Sequence, residues 1–509
     1  MDVYLVLRQT GTAIAVGLAF LRHVGIAWSP QPDETTVRSE YERITSLLGE
    51  RTIAELIDLP PMDDALALAT IEVLTTLAMP AIDTDANLAC LTLCKAINLS
   101  LEHGNADASC VAYARLSRFS VLLFGDYEAG FQFGRLACKL VEERGLERYE
   151  TRTYLCYSLY VARWVEPVRA CVDQLRSVFD TANRTGDLTY GAVAYTHLVQ
   201  TRLLTGDPLP DVQREVESCL AHARKLQFGI TVDFIEEKLA LIRTLRGLTP
   251  LSGSADDARF DQLRSEHQQS QTSVTKWYWL RKLQECYLAG DHEAAMAAAS
   301  NAQGVLWTAY VYNEAAEYYL YAALAQAASC DSIAAGELPQ HLAALTARHD
   351  QLRVWANLCP ENFASHAALV GAEIARVEGR LVDAEMRYEE AIEAAKESGF
   401  AHVEALANEL ASRFYAARGL QKIARVYMQD AHYGYLRWGA NGKVRHLEEK
   451  YRYLRTEETV PGPTNTMAAP IEHLELATVI RVLQAASGEI HLERLIEMVM
   501  RTAIEQAGA

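Results

Sequence analysis

Apolar residues recur three and four apart along almost the whole chain, in stretches such as Ala65–Leu77, Arg135–Glu143, Leu239–Leu248, Ala316–Ala328 and Ala367–Val377. That spacing gathers them on one face of a 3.6-residue helix, and the strict alternation and Val/Ile/Thr enrichment of strands are missing. Short breakers separate the stretches: Gly104-Asn105, Gly125-Asp126, Gly186-Asp187, Gly206-Asp207-Pro208, Gly290-Asp291, Glu378-Gly379 and Arg418-Gly419. Glycine supplies the left-handed residue that closes one helix, and an aspartate after it can cap the next. The pattern predicts helix, tight turn and antiparallel helix, repeated many times. The expected fold is all-α.

The turns share a second pattern. Gly125, Gly290, Gly379 and Gly419 are each followed five residues later by Gly130, Ala295, Ala384 and Ala424, and seven residues after those by Ala137, Ala302, Ala391 and Ala431. At the fourth position between them lie Gly134, Ala299, Tyr388 and Met428. Small residues at this spacing share a helix face and admit a neighbouring helix, while a larger one fills the gap between layers. The last two copies start 40 residues apart, inside the 34 to about 47 residue period of helix-hairpin solenoids. Gly379–Ala391 is close to the second helix of a tetratricopeptide repeat. The expected architecture is therefore an α-solenoid of antiparallel hairpins.

The same pattern divides the chain. Residues 1–250 and 274–455 read as two halves of the helical-repeat region, with the clearest repeats over 367–434. Residues 251–273, rich in Ser, Gln and Asp, read as a polar connector. Residues 456–470 carry Pro461, Gly462, Pro463 and Pro470, a flexible-linker composition. Residues 471–509 read as one further helix, with an apolar side that could join two copies in a homodimer. Near the start, Gly11 to Trp28 is largely apolar but interrupted by Arg22 and His23. It reads as an amphipathic helix closed by Pro30 and Pro32, not as a membrane span.

Composition adjusts this picture in two ways. The formal charge is −18, from 66 acidic and 48 basic residues, which argues against nucleic acid or an anionic membrane as the main partner. The ten cysteines are scattered through apolar helical patterns without a CxxC pair, so buried thiols in a reducing cytosol are expected, with no metal or other cofactor. No Walker loop, dinucleotide fingerprint, zinc-protease motif, nucleophile elbow or kinase catalytic loop is legible. The chain is accordingly expected not to be an enzyme.

Three polar constellations remain. Asn98–Ser109 contains Glu102, His103 and Asp107, which could line a small site with histidine as acid/base, or mark a helix end and the next cap. Cys359-Pro360-Glu361-Asn362-Phe363 reads as a helix start with Phe363 plugging the core. Tyr435–Arg445 combines aromatic and basic residues. Arg437, Trp438, Lys443 and Arg445 could grip an acidic partner, or could close a helix with basic residues favouring its dipole. His473 and His491 sit in no phosphoacceptor box.

Five stretches, taken in order, carry a family resemblance: Asn98–Ser109 (NLSLEHGNADAS), Leu239–Pro250 (LALIRTLRGLTP), Asn357–Phe363 (NLCPENF), Asn408–Tyr415 (NELASRFY) and Tyr435–Tyr451 (YLRWGANGKVRHLEEKY). Together they resemble the central helical region of the large bacterial ATP-binding hybrid sensor histidine kinases, some of which also carry an N-terminal Ser/Thr kinase domain. In that family an AAA-type or STAND-like ATPase precedes the tetratricopeptide-like region, and a linker helix, a GAF domain and a kinase core follow it. His473–Ala509 resembles the helix leading into the GAF domain. The resemblance implies a cytoplasmic, non-catalytic regulatory module whose partners are the adjoining ATPase and GAF/kinase domains. It carries no catalytic residue over, because the kinase, ATPase and phosphoacceptor motifs have no counterpart here. A free-standing adaptor binding a protein on its concave face is the competing expectation.

Overall fold

The computed structural model describes residues 1, 3–4, 9–82, 84–225, 229–250, 271–303, 313–331, 333 and 336–455. The connector residues 251–270, the linker 456–470 and the final helix 471–509 lie outside the described residues, whereas residues 271–273 of the expected connector open a helix. Met1–Leu454 form one compact unit.

The described residues form 21 α-helices and no strand, packed as consecutive pairs in an all-α solenoid. The first four are α1 (Thr10–His23), α2 (Glu34–Leu48), α3 (Ala65–Ile82) and α4 (Ala86–His103). Then come α5 (Ser109–Phe124), α6 (Tyr127–Arg144) and α7 (Glu147–Tyr157), which runs through a π turn at Ser158–Ala162 into α8 (Arg163–Val165). Next are α9 (Ala170–Thr185), α10 (Leu188–Leu204), α11 (Leu209–Lys225), α12 (Gly229–Leu245), α13 (Gln271–Ala289), α14 (His292–Gln303) and α15 (Asn313–Ser329). The last six are α16 (Leu338–Leu358), α17 (Pro360–Val377), α18 (Leu381–Glu397), α19 (Ala401–Ala417), α20 (Gln421–Trp438) and α21 (Asn441–Lys450).

The glycine turns explain the hairpins. All seven breaker glycines, from Gly104 to Gly419, have positive φ. The aspartates after them divide. Asp126 and Asp291 accept the backbone N–H of Ala129 (2.9 Å) and Ala294 (3.0 Å) as helix caps. Asp187 and Asp207 instead bind Arg152 and Arg202. The small-residue pattern is buried throughout in α6, α14, α18 and α20, including Tyr388 and Met428 between the layers. The first helix is shorter than its apolar run. It stops at His23, where Gly25 turns left-handed and Ile26 donates back to the Leu21 carbonyl, so Trp28, Pro30 and Pro32 follow in a loop.

Two apolar clusters make up the core, one running from Leu18 to Leu198 and the other from Trp164 to Leu454. The two clusters overlap along the chain between Trp164 and Leu198, across α8 to α10. Among the described residues, α3 is the one helix long and apolar enough to cross a membrane, and ten of its residues are packed inside the protein. Helices α15, α17 and α19 are buried on nearly every side, polar residues such as Glu317, Glu373 and Glu409 included. Contacts also run between elements far apart along the chain, since α21 packs back against α12 and α13.

Candidate functional site

The segment around Gly104 is a joint. Gly104 has φ 95°, and a Cβ there would stand 2.2 Å from the Pro60 carbonyl oxygen, so this close approach requires glycine. Behind it, buried Asn105 donates to the Leu56 carbonyl (2.7 Å) and accepts from the Tyr113 hydroxyl (2.8 Å). Glu102 pairs with Arg43, and Glu102, His103 and Asp107 are all exposed. No hydrogen bond or ion pair among the described residues joins those three.

The residues at the end of α20 and in α21 go to different places. Arg437 is exposed and pairs with Glu404 of α19 at 2.5 Å. Trp438 is buried, with its ring 5.2 Å from that of His402. The Lys443 ammonium is buried, donating to the Leu288 carbonyl at 2.6 Å and to Glu409 at 3.0 Å. Arg445 donates to the Gly247 carbonyl at 2.5 Å. Lys443 and Arg445 thus fasten α21 onto α13 and onto the turn after α12. Asn362 does a similar job upstream. Its amide oxygen accepts from Val168 N (2.7 Å), and its amide nitrogen donates to the carbonyls of Arg163 (3.0 Å) and Glu166 (2.8 Å). Phe363 stacks on Trp164, 5.5 Å between centroids, as a core plug.

Inside the solenoid the helices meet through charge. Arg281 donates to Glu237 (2.8 Å) and Glu285 (2.9 Å), all three buried. Glu409 accepts from Lys443, Arg413 and the Tyr435 hydroxyl (2.8 Å). Burial would raise its carboxyl, but the Lys443 ammonium and Arg413 guanidinium outweigh burial and hold it down at about 2. Where a tetratricopeptide array would present side chains to a peptide, these helices spend them on each other.

A groove of about 720 Å³ lies between α6, α7 and α9. Arg135, Cys138, Lys139 and Glu142 line it from α6, Tyr154 and Tyr157 from α7, and Ser177 and Val178 from α9. Its floor adjoins the π turn, where Val161 and Tyr157 press on Gly134 so closely that a Cβ there would meet Val161 Cγ2 at 2.6 Å. The Tyr157 hydroxyl donates to Glu166 (2.5 Å), and Gln174 donates to the other oxygen of the same carboxylate (2.8 Å). Tyr154 donates to Glu142 (2.6 Å). Burial, reinforced by these carboxylate bonds, raises both tyrosine hydroxyls, and burial raises the Cys138 thiol. A raised thiol packs well and attacks poorly. The groove offers shape, aromatic surface and fixed polar groups, which suits binding.

Sequence reading passed over this groove. Its trace is the run Gln174, Ser177 and Thr181, polar residues along α9 beside its buried face of Cys171, Leu175 and Val178. None of the ten cysteines is bridged in a disulfide, and seven are buried.

No family model matches this chain, and no curated protein matches it. Among solved structures it is similar to a "Circular tandem repeat protein with novel repeat topology and enhanced subunit contact surfaces", at 13% identity, covering 76% of this chain and 95% of that one, with a TM-score of 0.16. A likeness that distant carries no argument about function.

Proposed function

We propose that this chain is a non-catalytic regulatory helical-repeat module that mediates protein–protein or interdomain contacts in a bacterial signal-transduction protein of the ATP-binding sensor histidine kinase type. The signalling context rests on the five stretches that resemble that family's central helical region. The mode of contact rests on one structural observation. The inner helices α15, α17 and α19 are buried on nearly all sides, while a 720 Å³ groove stands open between α6, α7 and α9. A partner segment is therefore taken on the outside, between neighbouring repeats.

Two measurements test this reading. An antibody against Leu381–Glu397, used on lysate of the source cells, reports the size of the native polypeptide. A band far above 56.5 kDa is expected. A band at 56.5 kDa favours the free-standing adaptor and removes the kinase context. A photo-crosslinker at exposed Ser177 is then expected to join the module to the adjoining ATPase or GAF/kinase domain, and Ser177→Trp to abolish that crosslinking through Lys139 across the groove.

A further inference from the structure

Two neighbouring helices carry an apolar face that the fold does not use. On α18, Leu381, Val382 and Met386 are exposed, and on α20 so are Leu420, Ile423 and Val426. Val382 is 70% exposed, Met386 61% and Val426 52%. The six belong to one surface, because α18 and α20 run side by side in the same direction. Arg418 pairs with Glu385, and the Tyr427 hydroxyl donates to Glu389, which brings Val426 alongside Met386.

The repeat itself does not call for these residues. Counted from the turn glycine, the third and seventh positions of α18 are Val382 and Met386. After Gly125 the same two positions hold Glu128 and Gln132, and after Gly290 they hold Glu293 and Ala297. The buried small residues of the pattern are kept in all three copies. Internal packing therefore leaves the outer positions free, and a contiguous apolar face at such positions marks a contact surface.

Charge indicates what covers it. Beyond Met386, α18 exposes four glutamates, at 389, 390, 393 and 397, against one lysine at 396. Helix α20 exposes Lys422, Arg425 and Arg437 against Asp430. Arg437 is shared with Glu404, but Lys422, Glu390 and Glu397 form no ion pair among the described residues. A two-fold axis along the two helices sets α18 of each copy on α20 of the other. Apolar row then meets apolar row and acidic helix meets basic helix, twice over. Laying α18 on α18 would instead oppose like charges. We propose that two copies of this chain pack through α18 and α20 as a two-fold dimer, Met386 of each over the partner subunit's Val426. These helices are not those of the groove between α6, α7 and α9, so the dimer does not depend on what binds there.

The test is analytical ultracentrifugation of the full chain, as wild type and as two variants. Wild type is expected to approach twice 56.5 kDa by about 50 µM. Met386→Glu sets an acid, and Val426→Lys a base, into the apolar contact on both sides of the axis. Each alone is expected to raise the dissociation constant roughly tenfold or more. Both positions are exposed, so the melting temperature of the monomer should stay within about 2 °C of wild type. Mixed together, the two variants should associate again, since one contact gains a Glu–Lys pair and the other stays apolar. A wild type that remains at 56.5 kDa overturns the proposal. So do variants that dimerise as well as wild type, the result expected if residues 471–509 join the copies, and so does a mixture that stays dissociated. Should either variant fail to fold, hydrogen exchange of the wild type on dilution decides. Faster exchange in α18 and α20 as the dimer dissociates supports the face, and unchanged exchange there refutes it.

Discussion

Lys443 Nζ lies 3.0 Å from a carboxylate oxygen of Glu409, and each side chain is 1% exposed. The same ammonium donates to the Leu288 carbonyl, so one cation joins α21, α19 and the end of α13. A charge buried this deeply is tolerated because its partner is fixed, and removing one partner strands the other.

Lys443→Met is therefore expected to cost roughly 3–5 kcal/mol in urea unfolding. Adding Glu409→Gln should recover part of that loss, since the amide oxygen still accepts from Tyr435 while the stranded charge is gone. If single and double variants unfold at the same midpoint, Arg413 alone neutralises Glu409 and the lysine adds nothing.

Two buried groups shape the acid response of the fold in different windows, beside His292, His349 and His446, which burial also lowers. Burial depresses His402 from 6.5 to about 4, more than Glu317 can offset. Between those values the unfolded chain takes up a proton that the folded one refuses, so stability falls as pH drops from 6.5 towards 4, by on the order of 3 kcal/mol. Glu409, held at about 2 against an ordinary 4.5, contributes stability that is present above 4.5 and lost as pH falls towards 2. His402→Leu should make the melting temperature fall less steeply between pH 6.5 and 4, with His292, His349 and His446 keeping part of the slope, while leaving the loss below 4.5. An unchanged slope between pH 6.5 and 4 would show that His402 is not the group titrating there.

Much of this architecture was legible locally because its causes are local. Gly379 and Gly419 needed a left-handed turn, and Ala384, Ala391, Ala424 and Ala431 needed close helix approach. Each requirement leaves its mark within a dozen residues. The clamp of α21 does not. Arg445 meets Gly247 across 198 residues and Lys443 meets Leu288 across 155. In sequence both are simply basic residues after an Asn-Gly pair, indistinguishable from a surface grip for an acidic partner. The inner charges are similarly disguised. Glu317 in its alanine-rich run and Glu409 in α19 look like solvent-facing positions until the neighbouring helices are placed around them. Acids set among mostly apolar neighbours, two in each helix, were the available signal. The outer groove depended on the splay of α6 and α9 around a π turn, which no period of 3.6 announces.

Glycine substitutions at two close approaches should differ in cost because their neighbours differ in freedom. A Cβ on Gly134 meets Val161 Cγ2 at 2.6 Å, the Tyr157 ring at 3.2 Å and the Ser117 hydroxyl at 3.3 Å, all side-chain atoms that can give by small shifts. A Cβ on Gly442 meets the Thr244 carbonyl oxygen at 2.6 Å, Gly247 N at 2.9 Å and the Leu245 carbonyl oxygen at 2.9 Å, all backbone. Both positions are helical, so alanine gains about 1 kcal/mol of propensity at each. Gly134→Ala is expected to come out within about 1 kcal/mol of wild type, and Gly442→Ala to lose about 1–3 kcal/mol as α21 is pushed off α12. Denaturant midpoints rank the two, and equal costs would mean that α21 shifts freely on its seat.

The basic and aromatic residues after Tyr435 make the sharpest division between packing and recognition. Trp438 and Lys443 are buried, so any effect of replacing them on a partner is inseparable from damage to the fold. Arg437 is exposed, and its pair with Glu404 is the half-exposed kind that contributes about 0–1 kcal/mol. Arg437→Ala should leave the melting temperature within about 2 °C of wild type. Arg445→Ala removes a bond that holds α21 to the turn at Gly247, so it should speed hydrogen exchange in α21 before it changes global unfolding. If the outer groove is where the partner sits, neither change alters partner affinity. Loss of affinity in Arg437→Ala at unchanged stability would instead move the binding surface to the end of α20.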